Sequence, residues 1–255
     1  MKFFKSFLLH KRYNAPGPFD LRAEAGVDLL LRKKSMKPFD TETPLRLAVF
    51  ASGGGTNFQS ILDAVERGAL PLTVALCLSN TPKAGALARA RRYGVPTAVL
   101  DPRDFETESA YVAALIDVLG EHAVNFIALA GYMRKIPATV VEAFGGRILN
   151  IHPALLPSFG GKGLYGRRVH EAVLAYGTRW TGATVHLVDQ EYDTGPIVLQ
   201  EPVAVLPDDT PETLAKRVLR IEHRLYPQAL RLFAKGCVSV EGRLVRIEEE
   251  TPETL

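Results

Sequence analysis

The sequence predicts an α/β fold: an open, mainly parallel, twisted sheet with helices on both faces, closed by a small C-terminal hairpin. Short apolar runs recur from residue 46 onward, helix-length segments alternate with them, and several of those segments stop at a glycine. Residues 46–52 (RLAVFAS) read as the first strand, and 57–68 follow with helical spacing and a stop at Gly68. Strand 72–80, helix 84–94, strand 96–101, helix 108–122, strand 124–131, helix 137–146 and strand 147–152 continue the alternation. Strands spaced in this way need crossovers, so they run parallel and are covered on both faces. Later strands are expected at 182–189 and 196–206, and a long helix over 210–236 with Thr210 or a neighbour as its cap. Residues 238–250 read as a hairpin running into an acidic tail.

The 255-residue chain is 47% hydrophobic and 23% charged, the balance of a globular protein. Its net charge of +3 is unevenly placed: ten of the 31 Lys and Arg but five of the 28 Asp and Glu fall in residues 1–46, leaving 21 against 23 downstream. A near-neutral body argues against a polyanion partner, so no nucleic acid is expected. No run approaches the ~20 apolar residues of a membrane span, and Lys5 breaks the short apolar start without a cleavage site after it. Neither a membrane partner nor a secretory signal is expected. Cys77 and Cys237 lie far apart without metal-ligand spacing, which fits a reduced, cytoplasmic setting. Met36 would serve as a natural start, making residues 1–35 an extension; a helical packing arm over 19–34 is the competing reading.

In open sheets of this kind ligands gather outside the carboxyl ends of the strands. Three features fall there. Gly53, Gly54 and Gly55 follow the first strand and open a helix, a turn suited to a phosphate. A Walker loop is excluded because no Lys precedes Thr56, and Phe58 stands where a dinucleotide fingerprint needs its third glycine. A monophosphate is therefore favoured, and a structural turn capped by Thr56 is the alternative.

Asn150 and His152 end strand 147–152 on one face, since strand side chains alternate, and Pro153 stops the strand behind them. An Asn amide can donate to an oxyanion, and a His can act as acid or base near neutral pH. Asp189, Glu191 and Asp193 then crowd a loop after a later strand, where a carboxylate beside His152 would favour its charged form. A structural His and a solvated acidic loop remain alternatives at this level.

The segments ASGGGTNFQSIL, ALAGYMRKIP, RILNIHPALLPSFGG, TGATVHLVDQEYDTGPIVLQ and RIEHRLYPQAL together resemble the phosphoribosylglycinamide formyltransferases, folate-dependent enzymes of purine biosynthesis, from about Arg46 to Phe233. The resemblance implies a Rossmann-like formyltransferase domain over 46–236, an N-terminal extension of uncertain role over 1–45 and a hairpin and tail over 237–255. It implies that 10-formyltetrahydrofolate is the co-substrate, that glycinamide ribonucleotide is the acceptor, and that no metal is needed. Asn150, His152 and Asp193 match the catalytic trio, with His152 expected to be protonated. Gly55, Thr56 and Asn57 match the phosphate loop, and Glu222 matches a carboxylate on the sugar. Met133, Arg134, Lys135 and Ile136 match the folate pocket, together with Asn150 and the loop from Asp189 to Asp193. Glu108 also falls in that pocket's pattern but stands where relatives carry Arg or Lys, with Arg103 a nearby substitute; His186 matches a histidine near the site. A monomer or homodimer is expected.

Other readings stay distinguishable. A formyltetrahydrofolate hydrolase would carry a second His where Pro153 stands and a regulatory domain longer than residues 1–45. A methionyl-tRNA formyltransferase would need a C-terminal RNA-binding barrel, and only about twenty residues follow Phe233. Sugar-amine formyltransferases would not need the phosphate loop. A non-catalytic nucleotide-binding module would have no use for Asn150, His152 and Asp193 together.

Overall fold

The computed structural model describes residues 43–248. The proposed N-terminal extension and arm, and the end of the acidic tail, lie outside the described residues. Five strands form the parallel part of a sheet: β1 (Arg46–Phe50), β2 (Thr73–Ser79), β3 (Thr97–Val99), β4 (Phe126–Leu129) and β5 (Ile148–His152). Two more, β6 (Trp180–Leu187) and β7 (Ile197–Ala204), extend it past β5, giving the order β3-β2-β1-β4-β5-β6-β7. The pairs from β3 to β5 are parallel, whereas β5–β6 and β6–β7 are antiparallel.

Alternation along β1 divides the core. Leu47, Val49 and Ala51 enter one cluster with α1 (Thr56–Glu66), α2 (Gly85–Arg92) and the long C-terminal helix. Ala48 and Phe50 enter the other, packed by α3 (Glu108–Glu121) and α4 (Ala138–Ala143). Both faces of the strand are buried, hence its unbroken apolar run. A further helix, α5 (Arg167–Tyr176), lies in a stretch the sequence reading leaves irregular; its period is visible in buried Val169, His170 and Val173.

The long helix α6 (Pro211–Ala234) starts at a Thr210 capping box, with Thr213 reciprocating. Its fully buried Tyr226 hydroxyl reaches the carbonyls of Leu129 and Leu149, each at 3.0 Å, which fastens α6 beneath β4 and β5. The hairpin β8 (Val238–Glu241) and β9 (Leu244–Ile247) forms a separate two-stranded sheet. Chain order reverses at β1, which has β2 on one side and β4 on the other, so a crevice opens at the carboxyl ends there.

Among the described residues no helix is long and apolar enough to cross a membrane, and no group of three or more His, Cys, Asp or Glu could hold a metal ion. Both cysteines are free, and burial pushes the Cys77 thiol up to about 12.

Candidate active site

The glycine turn after β1 is built for close approach. Gly55 has φ +73, and a Cβ on it would lie 2.7 Å from the Ala86 Cβ, so no other residue fits without displacing α2. Gly53 and Gly54 are tied to α2 through their carbonyls, which accept from Ala86 N at 3.2 Å and Arg89 Nε at 2.8 Å. Gly55 is itself the N-cap of α1, and no side chain caps the helix. Thr56 is the first helical residue, not a cap, and the first-turn N–H groups of α1 are left for other acceptors.

Beside the turn, Asn57 donates from Nδ2 to Glu222 Oε2 of α6 at 2.6 Å. Glu222 is 7% exposed, and burial raises its carboxyl above the ordinary value, with the Asn57 bond only partly opposing. The Asn57 Oδ1 is buried without a protein partner. This corner thus pairs a carboxyl of raised pKa with an unmet acceptor.

On β5, Asn150 and His152 share a face as the alternation requires. Asn150 Nδ2 lies 3.1 Å from His186 Nε2 on β6 and 3.4 Å from Asp193 Oδ1. His152 Nε2 lies 2.9 Å from the Phe159 carbonyl, so it donates, and Nδ1 stands 3.6 Å from Asp193 Oδ2. Asp193 comes from the β6–β7 loop, and its Oδ2 also accepts from Gly161 N at 2.9 Å. A Cβ at Gly160 would sit 2.5 Å from Leu156 Cδ2 and 3.1 Å from Asp193 Cβ, so a glycine lets the loop after β5 close against that carboxylate.

Two opposing influences act on His152. Burial is the largest influence on His152 and holds its imidazole below 6.5; Asp193 and the Phe159 carbonyl pull upward without prevailing. Burial thus opposes the charged form that the carboxylate neighbour favours. Burial pushes Asp193 up as well, but its polar neighbours, the Gly161 N–H among them, outweigh it and hold the carboxyl below its ordinary range.

These groups line one cavity of ≈ 800 Å³, a size suited to a bulky organic ligand. Asn57, Met133, Arg134, Lys135, Ile136, Asn150, His152, Asp189, Asp193 and Glu222 all border it. The Met133–Ile136 stretch is held to the sheet by Met133 N, which donates to Ser52 Oγ at 2.8 Å, and by Arg134, 3.6 Å from buried Asp101. Lys135 reaches to 3.8 Å from Glu191 and lies over the Tyr192 ring, spanning from this stretch to the β6–β7 loop. Asp189 organises that loop by accepting from Glu191 N at 3.1 Å and Thr194 Oγ1 at 2.7 Å.

Three expected residues lie off the cavity wall. Gly55 belongs to the turn behind it, and Thr56 opens onto an adjoining groove with Arg89 and His223. Glu108 is exposed as the first residue of α3, where Thr107 Oγ1 caps Ala110 N at 3.1 Å. An acid in a first turn suits the helix dipole, which accounts for Glu108 without a ligand. Arg103 is no substitute, because it is paired with Asp101 at 2.6 Å. The sequence reading overlooks His170, which is 4% exposed, borders the cavity and has an unpartnered Nδ1; a histidine on the apolar stripe of α5 was the available signal.

The profile of the family described as formyl transferase matches residues 45–230. A chloroplastic phosphoribosylglycinamide formyltransferase from Arabidopsis thaliana is 48% identical over 186 residues, covering 72% of this chain and 64% of the relative. The phosphoribosylglycinamide formyltransferase of Bacillus subtilis is 38% identical over 186 residues, covering 73% of this chain and 93% of the relative. The crystal structure of glycinamide ribonucleotide transformylase 1 from Symbiobacterium toebii superposes with a TM-score of 0.76 at 44% identity, covering 81% of this chain and 95% of that one. The chain thus spans just under two thirds of its Arabidopsis relative's length and nearly all of the bacterial ones.

Proposed function

The chain belongs to the formyl transferase family, and from that premise we propose that it moves the formyl group of 10-formyltetrahydrofolate onto the primary amine of glycinamide ribonucleotide, a step of purine biosynthesis in the cytoplasm. One observation carries the reading: a single cavity joins Asn150, His152 and Asp193 to the Asn57–Glu222 corner beside an uncapped helix start. Amine chemistry and sugar-phosphate recognition then share one space. The residues also suit a folate: buried Leu129 and Ile136, with Met133, give the wall an apolar side for a flat ring, and the Met133–Ile136 backbone is fixed in place to meet its polar edge.

In the reaction a bond forms between the amine nitrogen and the formyl carbon, the bond from that carbon to the folate nitrogen breaks, and one proton passes from the attacking to the leaving nitrogen. Asn150 donates to the formyl oxygen as charge grows there, a contribution of about 2.7–4 kcal/mol for a donor of this kind. Neutral His152 is able to take up the proton that the attacking nitrogen sheds. Once charged, it is stabilised by ionised Asp193 and by the Phe159 carbonyl, and it returns the proton to the leaving nitrogen. The pair acts as base and then acid, and it titrates as a unit. Glu222 and Asn57 hold the sugar, and the first turn of α1 receives the phosphate.

The test is formyl transfer from 10-formyltetrahydrofolate with glycinamide ribonucleotide, water alone or a nucleotide-sugar amine as acceptor. Tetrahydrofolate release that depends on glycinamide ribonucleotide is the expected result. Release with water alone would make the chain a hydrolase, and release only with the sugar amine would reassign the acceptor.

A further inference from the structure

We infer that His186 is a positioning residue that sets which end of the Asn150 amide faces the reacting carbon; the inference rests on the formyl-transfer reading above. His186 is 2% exposed, and strand register puts it directly opposite Asn150 in the antiparallel β5–β6 pair.

The hydrogen bonds fix the ring's tautomer. His186 Nδ1 lies 2.8 Å from the Leu187 carbonyl, which only accepts, so Nδ1 carries the proton. With the ring's single proton on Nδ1, Nε2 is an acceptor. It lies 3.6 Å from Asp193 Oδ1, beyond hydrogen-bond reach, and 3.1 Å from the Asn150 amide. A flipped amide would turn its carbonyl oxygen against both the Nε2 lone pair and the Asp193 carboxylate. Two acceptors therefore hold the amino end on this side. One amide hydrogen is engaged by His186 at ordinary length; the other lies in the long 3.4 Å contact to Asp193 Oδ1 and is the weakly held one for which an oxyanion would compete. Without His186 the amide loses the stronger of these restraints and can present its carbonyl to the developing negative charge.

Two substitutions separate positioning from packing. Gln at 186 carries a polar atom out to the Nε2 location and can still accept from Asn150. Asn reaches only the Nδ1 location, keeping the Leu187 bond and losing the Asn150 one. With wild-type turnover on glycinamide ribonucleotide established, H186N is expected to lower kcat about 10- to 100-fold, with both KM values within about twofold and H186Q recovering most of the loss. Adding Asn150→Ala should lower kcat roughly 10²–10³-fold in the wild-type background but far less in H186N, because the two act as one unit. Losses that simply multiply, or equal losses in H186N and H186Q, would overturn the inference. Should H186N fail to fold, the imidazole ¹⁵N shifts of the wild-type protein decide: a proton on His186 Nδ1 alone is expected, and one on Nε2 would contradict it. A wild-type chain that transfers no formyl group would overturn the functional reading, and this inference with it.

Discussion

Asp193 and Glu222 are two largely buried carboxylates on the wall of one cavity, and the fold treats them in opposite ways. On the β5–β6 side, Asp193 accepts from the Gly161 N–H at 2.9 Å and faces the Asn150 amide at 3.4 Å, and its carboxyl lies below its ordinary range despite the cost of burial. On the α1–α6 side, Glu222 has a single amide donor, Asn57, and burial prevails. The number of donors, not depth alone, decides in which direction burial moves each carboxyl. In the proposed reaction the first sits with the histidine that becomes an imidazolium, and the second where the hydroxyl groups of a sugar would need both a donor and an acceptor.

The largest effect should come from removing the charge. Asp193→Asn keeps the shape of the side chain but takes away what stabilises protonated His152, so kcat should fall about 10²–10⁴-fold, the span of acid–base catalysis, with KM for glycinamide ribonucleotide little changed. Steady-state kinetics check this; a loss confined to KM would erase the distinction between the two sides. A smaller effect is expected at the other carboxylate. Glu222→Gln keeps a neutral donor and acceptor beside Asn57 and should raise that KM less than about fivefold, whereas Glu222→Ala strands the amide and should raise it about 5- to 150-fold, kcat holding in both. Equal effects of Gln and Ala would mean the hydrogen bonds there do not bind substrate.

The smallest effect is on stability. His152, His170 and His223 are all held below 6.5 by burial. The unfolded chain therefore takes up protons first, and the stability they contribute above pH 6.5 is lost as the pH falls below it. Glu222 works oppositely: its raised pKa contributes stability below pH 4.5, which is lost as the pH rises through the folded value. Tm should thus fall between pH 7.5 and 5.5, and E222Q should match or exceed wild type at pH 7.5, the gap narrowing on acidification. A Tm that rises on acidification over this range would contradict the histidine assignment.

The same contrast explains what the sequence makes legible. The parallel half of the sheet could be read because strands buried on both faces leave unbroken apolar runs, as in residues 46–50. The pairing directions of β6 and β7 could not, since strand period is the same in either direction. Helix α5 escaped because charged Arg167 and Arg168 open it amid glycines, although Val169, His170 and Val173 keep its period. Asn150 and His152 were legible as a pair from alternation alone. The burial that opposes charge on His152 was not, because it belongs to the folded molecule. Glu108 departs from the pattern of its relatives, and its place in the first turn of α3 after the Thr107 cap was not legible from that pattern.

The most direct test of this account is the pKa of the His152 imidazole, followed by NMR titration in the wild-type protein and in Asp193→Asn. The account predicts a value below 6.5 in the wild type and a lower one still in the variant, because burial holds the ring neutral while Asp193 alone pulls it upward by charge. A wild-type value at or above 6.5, or one that stays put when Asp193 is neutralised, would contradict it.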